Sequence, residues 1–500
     1  MSLAAFRLVN FMAFADTDWI ELRPITMLFG KNSSGKSAII RALRLLKQSL
    51  FSPDDKANIL TLQTEELDCG SFATIIHRDG LEPLTDEQVD SRPMMFGFRC
   101  SPTPEMVSLI QQFPHQEKVE KFLQQNQQSG ACFVELLISV RQSGLNQQII
   151  FSGMTLQLSF DSGDAAVAAI KIKCVAQDLD SRFAGGSWVW SDLFEIPQKR
   201  SIGLRSDTAF LPAFKPDNAL LENGRFIDEL LTLVKSEISD FLQAIEYLGP
   251  IRPEPRRIYA IDNLAQLRLE KQGLRTWIKY LKSGYDLEVN TRIAKSLVDM
   301  DLCKDARIDP GGYTEKGILS EITVTDVSTG LPFNVREVGY GTSQVLPVVA
   351  TSFLSQPESL VIVEQPELHL HPRAQASLAN VFVEVIHDLL DDPQDKTSQK
   401  YRNVRFLLET HSEHMLTRLR RCIAETAIGQ YDIVKDANRY LLSQDVGVYF
   451  VHRGNVCRID FDAYGDFSTI PDGFDGFFSN DLDDIVAFTQ AKFDAQELGV

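Results

Sequence analysis

Residues 25–37, ITMLFGKNSSGKS, set Gly30, Gly35, Lys36 and Ser37 in the spacing GxxxxGK[ST]. Side chains of these types at this spacing can hold a polyphosphate. Backbone N–H groups of a glycine-rich turn converge on an anion only where no Cβ intrudes. Gly30, Asn32, Ser33, Ser34 and Gly35 are therefore the expected cradle. Lys36 is expected to reach the β- and γ-phosphates, and the Ser37 hydroxyl a Mg²⁺ ion. A helix starting at the same point adds its positive dipole end.

Far along the chain, SLVIVEQPELHLHP (359–372) brings Glu364, Gln365 and Glu367 to the end of an apolar run. VRFLLETHSEH (404–414) does the same for Glu409, Thr410 and His411. A strand that delivers carboxylates at its end is what a magnesium-nucleotide site requires opposite its phosphate loop. VGYGTSQVLPVV (338–349) sets Gly339, Gly341 and Ser343 at a helix start. His369 with His371, and His411 with His414, lack a third ligand at metal spacing and read as loop and helix-cap residues.

These residues need a scaffold that brings positions near 30 and near 365 together. Residues 25–29 read as a short buried strand, and Ser37 to Leu46 as a helix with Ile39, Leu43 and Leu46 on one face. The segments CFVELLISV, QQIIFSG, MTLQLSF and AAIKIKCVA (within 131–175) alternate in strand fashion with Ser-Gly turns between, as hairpins of an antiparallel β subdomain. Helical periodicity covers 218–247 and 263–300, on either side of the proline-rich YLGPIRPEPRRIY. After residue 315, short apolar strands alternate with helices, which argues for a partly parallel sheet. The expected architecture is an α/β P-loop head split by a long α+β insertion. Its parts are an N-terminal lobe (1–80), the insertion (81–310), a C-terminal lobe (311–460) and an acidic C-terminal extension (461–500).

Composition narrows the class. A chain of 500 residues at 44% hydrophobic can bury a large core. Its longest apolar stretches, such as VLPVVA, fall short of a membrane span, and no charged-then-apolar leader opens it, so no membrane partner and a cytoplasmic location are expected. Seven cysteines without a CxxC pair suggest neither a disulfide framework nor a zinc ribbon. A net charge of −18 opposes nucleic-acid binding over the whole surface but not in a local basic groove. The basic clusters Arg252/Arg256/Arg257, Arg418/Arg420/Arg421 and Lys199/Arg200/Arg205 read as surface ion pairs amid the acidic excess, with contact to nucleic-acid phosphates as the alternative for each.

The order phosphate loop, insertion, glycine-serine helix start, acidic strand end, then strand-Thr-His resembles the ABC-type ATPase heads of the SMC, RecF and OLD families. FRLVNFMAF…WIELRPITMLFGKNSSGKS is similar to their N-terminal signature. Through EQPELHLHP, ETHSEH, GYGTSQVLP and YLGPIR the chain also resembles ATPase subunits of bacterial antiphage systems of the Septu and retron-associated type. The resemblance implies ATP with Mg²⁺, and a homodimer of heads or a higher oligomer in which VGYGTSQ closes over ATP held by a second protomer. It puts Glu364 in place of the magnesium-supporting Asp, Gln365 in place of the catalytic Glu, and His411 in place of the γ-phosphate-sensing histidine. Gly339 stands where the signature serine is usual. Gln365 cannot take a proton from water, which leaves either slow hydrolysis or Glu367 as the base. The implied function is an ATP-gated dimeric switch subunit of an antiphage defence complex. It would control a separate effector subunit, a nuclease, with DNA or RNA met directly or through that partner. The alternative is a DNA repair or recombination ATPase that clamps DNA through its head dimer.

Overall fold

The computed structural model describes residues 3–51, 59–78, 92–112, 117–129, 132–143, 148–161, 166–176, 185–191, 201–205, 213–215, 221–261, 287–314, 317–389, 401–431 and 436–474. Lys199, Arg200, the expected helical segment 263–286 and most of the acidic extension (475–500) lie outside the described residues.

The chain opens with β1 (Leu3–Phe11), β2 (Phe14–Asp16), β3 (Ile20–Glu21), β4 (Ile25–Phe29) and α1 (Lys36–Phe51). Next come α2 (Phe72–Ile75), β5 (Met94–Cys100), α3 (Pro104–Gln111), α4 (Glu117–Ser129), β6 (Cys132–Gln142), β7 (Ile149–Asp161), β8 (Ala166–Ala176), β9 (Gly185–Ser191), β10 (Ser201–Arg205) and β11 (Ala213–Lys215). The middle continues with α5 (Leu221–Gln243), β12 (Ile245–Leu248), β13 (Tyr259–Ile261), α6 (Leu287–Asp299), β14 (Asp305–Thr314), β15 (Gly317–Thr325) and β16 (Pro332–Asn334). Last are α7 (Tyr340–Leu354), β17 (Leu360–Glu364), α8 (Pro372–Ile386), β18 (Arg405–Glu409), α9 (Glu413–Ala427), β19 (Val446–His452) and β20 (Asn455–Ile459).

Strands that are apolar on both faces need cover on both, and β4, β17 and β18 find it in the central sheet. That six-stranded sheet has the order β12-β17-β18-β4-β19-β20 and is parallel except at β20. Alternation along each strand feeds two cores. Leu28, Leu360, Ile362 and Leu407 pack with α1, α5 and the antiparallel sheet. Met27, Phe29, Val361, Val363, Phe406 and Leu408 pack with α7, α8 and α9 on the other face. Each such side chain contributes about 1.5–3 kcal/mol by leaving water, so a charge at Met27 or Leu407 would break one core or the other.

The second large sheet has ten strands in the order β11-β10-β9-β8-β7-β6-β5-β1-β2, with β3 on β1. Strands from both sides of residue 80 thus share one sheet. The parallel sheet also takes an edge strand from the middle of the chain, since β12 pairs with β17 from Ile245↔Leu360 onward. One expected turn is absent. Ser152-Gly153, read as a break between two strands, lies inside the continuous β7, where Gly153 pairs with Ser139 and Val175. The register shifts there, Ser139 pairing with Gly153 and Val140 with Phe151, so that Ser152 is the extra residue of a bulge in β7 beside the glycine.

Helix α1 buries Ile39, Leu43 and Leu46 as its periodicity demands, and Ile40, Ala42 and Leu45 as well. It is wedged between the sheet and α5, so one stripe does not suffice. Lys47 ties it there by donating to the carbonyls of Gln243 (3.2 Å) and Ile245. No helix among the described residues is long and apolar enough to cross a membrane.

Candidate functional site

The loop after β4 is built around two glycines that sterics require. Gly30 has φ +151°, and a Cβ there would strike the Val451 carbonyl oxygen. Gly35 has φ +112°, and its Cβ would lie 2.8 Å from Phe14 Cζ and 3.0 Å from Ala13 Cβ. Only glycine tolerates both the dihedral and the crowding. Asn32 and Ser33 are exposed, Ser33 at φ +60°. The Ser34 hydroxyl is buried with no hydrogen-bond partner among the described residues. An orphaned hydroxyl in a glycine-rich turn at the start of a 16-residue helix fits an anion such as phosphate.

Lys36 is only 3% exposed. Its ammonium donates to the carbonyls of Gly30 (2.7 Å) and Lys31 (3.0 Å) and lies 3.9 Å from Glu409 Oε1. The Ser37 hydroxyl donates to the Glu409 carboxylate, at 3.2 Å from Oε1 and 3.1 Å from Oε2. Strand order explains this meeting across 372 residues of sequence. β18 lies directly beside β4, while β17 is one strand further out, with Glu364 in register beside Glu409. The carboxylate on Ser37 is therefore Glu409, which ends its strand just as Glu364 ends β17. Sequence reading saw both strand ends but had no strand order with which to rank them.

Glu364 is held elsewhere. Its Oε1 accepts from the Tyr247 hydroxyl at 2.7 Å. Arg252, 4% exposed, donates through Nη2 to the carbonyls of Glu364 (3.0 Å) and Gln365 (3.1 Å), while its Nε and Nη1 have no partner among the described residues. Tyr247 and Arg252, from the YLGPIR segment, are thus site-supporting residues. Gln365 turns out of β17 at φ +47°, and its N–H donates to the Glu409 carbonyl at 2.7 Å. Glu367 Oε1 accepts from the His411 backbone N–H at 2.7 Å.

Burial dominates the electrostatics. It pushes the Glu409 carboxyl up to about 7, and the neighbouring Glu364 charge adds to the rise. Burial also lowers the Lys36 ammonium, opposed by Glu409 and Glu367. Glu367 is raised by burial, and half-buried His411 is lowered by burial and then by Lys36. Desolvation brings Arg252 down to about 10. Carboxylates held this way are relieved by a cation. Among the described residues, no three His, Cys, Asp or Glu side chains form a metal-holding group. The hard oxygens of Ser37 and Glu409 suit a Mg²⁺ that takes one or two protein ligands and completes its shell with phosphate and water.

The glycine-serine turn lies elsewhere in its contacts. Gly339 caps α7, and a Cβ there would meet nothing within 4 Å. A Cβ on Gly341 would lie 3.0 Å from the His369 carbonyl. Ser343 is buried and donates its hydroxyl to the Tyr340 carbonyl at 3.1 Å. Tyr340 itself is 63% exposed, with its hydroxyl 3.4 Å from Glu254. The structure thus gathers Gly30 to Ser37, Glu364, Gln365, Glu367 and His411 at the ends of β4, β18 and β17, and leaves the start of α7 on an open face. His371 accepts from the Arg373 N–H at 3.4 Å and so caps α8.

Two family models match. One, described as "AAA domain, putative AbiEii toxin, Type IV TA system", covers residues 220–416, and the other, "AAA domain", covers residues 6–82. No curated protein sequence matches the chain. Similar solved structures include an SMC head bound to the C-terminal winged-helix domain of ScpA (10% identity, TM-score 0.40, 92% of this chain and 98% of that one). Others are the SMC head domain from Thermotoga maritima (10%, TM-score 0.33, 92% and 100%) and an SMC head from Pyrococcus furiosus with an extended coiled coil, bound to the C-terminal domain of ScpA (10%, TM-score 0.39, 92% and 96%). The parallel sheet with its glycine-rich loop has the α/β arrangement of a P-loop fold, and residues 6–82 and 220–416 on either side of the middle segment are each similar to AAA-domain models.

Proposed function

We propose that the chain is an ATP-binding, ATP-gated switch subunit that works as a pair of heads. The observation that carries this reading is the meeting of Lys36 and Ser37 with Glu409, beside Glu364, at the carboxyl ends of adjacent parallel strands. Lys36 exchanges its loop carbonyls for the β- and γ-phosphates, and the orphaned Ser34 hydroxyl joins the cradle. Ser37 and Glu409 would hold a Mg²⁺, which would supply neutralisation of charge on the phosphates, while Glu364 stands in register beside Glu409. Glu367 is the group able to accept a proton from water, since Gln365 is an amide. Its raised proton affinity suits a base, and its tie to the His411 N–H sets it in place.

The open start of α7 supports pairing. Gly339 offers unobstructed backbone, and Tyr340 and Ile251 stand exposed. The positive dipole end of a helix on an exposed face suits a phosphate supplied by a second copy. The motif resemblance extends the proposal to a bacterial antiphage complex in which closure of the pair controls a separate effector subunit, a nuclease. The test is sedimentation velocity of the full chain. Mg²⁺ and ATP should convert monomer to dimer, and a sedimentation coefficient unaffected by nucleotide would defeat the pairing reading.

A further inference from the structure

Arginines that are scattered in sequence meet in a groove of about 420 Å³ between α8 and α9, closed at one end by the turn at 436–440. Arg373 comes from the first turn of α8, Arg418 and Arg421 from α9, and Arg439 from the turn. The sequence cluster Arg418/Arg420/Arg421 is broken up. Arg420 points elsewhere, donating to the Gly465 carbonyl (2.7 Å) and to Asp466 (2.9 Å). Arg373 and Arg439 take its place.

The counter-charge is incomplete. Arg421 pairs with Glu425 at 2.7 Å, which also faces Arg418, and Asp299 lies on the lining. Arg418 spends its Nε on Asn380 at 2.8 Å, and Arg439 contacts Tyr431. Among the described residues, four guanidinium groups thus meet one lining carboxylate, Asp299, and Glu425 beside the groove, in a chain whose net charge is −18. Like charges gathered against the prevailing sign cost free energy unless an anion joins them.

We propose that this groove binds the phosphodiester backbone of duplex nucleic acid. Its donors are guanidinium, amide and hydroxyl groups, Asn380 and Ser377 among them, and these suit phosphate oxygens. Among the described residues no aromatic ring lines it, and Tyr431 beside it is engaged by Glu425 and Arg439, so the groove offers contacts to the backbone rather than a stacking platform, and binding is independent of sequence. It is open to solvent and larger than one phosphate needs, which favours a run of phosphates over a small anion. The groove shares no lining residue with the nucleotide site.

The test is fluorescence anisotropy of a short labelled duplex with the nucleotide-free full chain, titrated with salt. Arg373→Ser with Arg439→Ser should weaken binding roughly tenfold and flatten the log–log salt dependence by about 0.9 for each phosphate no longer neutralised. The melting temperature should not fall. If the double variant unfolds, Arg439→Glu alone, on an exposed turn, should give the same direction. Native affinity in the variants overturns the proposal. So does displacement of the duplex by tripolyphosphate at equal phosphate concentration, which would make the groove a small-anion site. Tighter binding of polyglutamate than of duplex overturns it too, since the groove would then be a site for an acidic protein segment.

Discussion

Glu409→Gln removes a carboxyl that burial holds at about 7, against an ordinary value of 4.5. The folded chain keeps this proton to higher pH than the unfolded chain does. Native stability is therefore unaffected by the group below about pH 4.5, falls as pH rises from about 4.5 to about 7, and stays lowered above. The gap corresponds to about 3 kcal/mol, and the side chain, 7% exposed, has little water to screen it. Glutamine does not titrate. The stability of Glu409→Gln minus that of the native chain should thus increase by about 2–3 kcal/mol between about pH 5 and pH 8. The assay is urea denaturation at both pH values, in chelator and without nucleotide, so that no cation offsets the carboxylate. Taking the difference between the variant and the native chain cancels every titrating group that does not interact with residue 409, as Lys36, Glu364 and Glu367 do. A constant difference would mean that Glu409 titrates as a solvated carboxyl, and its placement under Lys36 and Ser37 would be refuted.

Gly339→Arg should leave ATP affinity intact and abolish ATP-dependent dimers in sedimentation, because a side chain there has free space in the monomer; dimers that persist would rule out α7 as the closing surface. Gly341→Arg is a less clean probe, since its Cβ already crowds the His369 carbonyl. Glu367→Gln should lower steady-state ATP turnover about a hundredfold, roughly the contribution of a general base, and unchanged turnover would place the base elsewhere. Arg252→Met should lower stability by about 1–3 kcal/mol in thermal melts, because the carbonyls of Glu364 and Gln365 lose their shared donor; an unchanged melt would show that the turn stands without it.

The phosphate loop was legible because its requirements are local. Gly30 and Gly35 are demanded by dihedral and crowding, and Lys36 and Ser37 follow at fixed offsets. β17 and β18 were legible as apolar runs, but the ranking of their terminal carboxylates was not. Whether Glu364 or Glu409 meets Ser37 depends on which strand lies beside β4, a non-local fact. Ser152-Gly153 misled for the converse reason: a turn-forming pair was overridden by β6 and β8 on either side. The roles of Tyr247 and Arg252 were hidden because β12 joins the parallel sheet from within the middle of the chain. The arginine groove was hidden because Arg373 and Arg439 are distant in sequence from Arg418.

The most direct test of the central claim is calorimetric titration of Mg²⁺ and ATP into the native chain and into Lys36→Ala. The side chain whose ammonium now rests on the Gly30 and Lys31 carbonyls is the one assigned to the phosphates. Native protein should bind and the variant should lose at least about tenfold in affinity, as expected for a buried charge-assisted contact. Equal affinity in the two proteins would contradict the account.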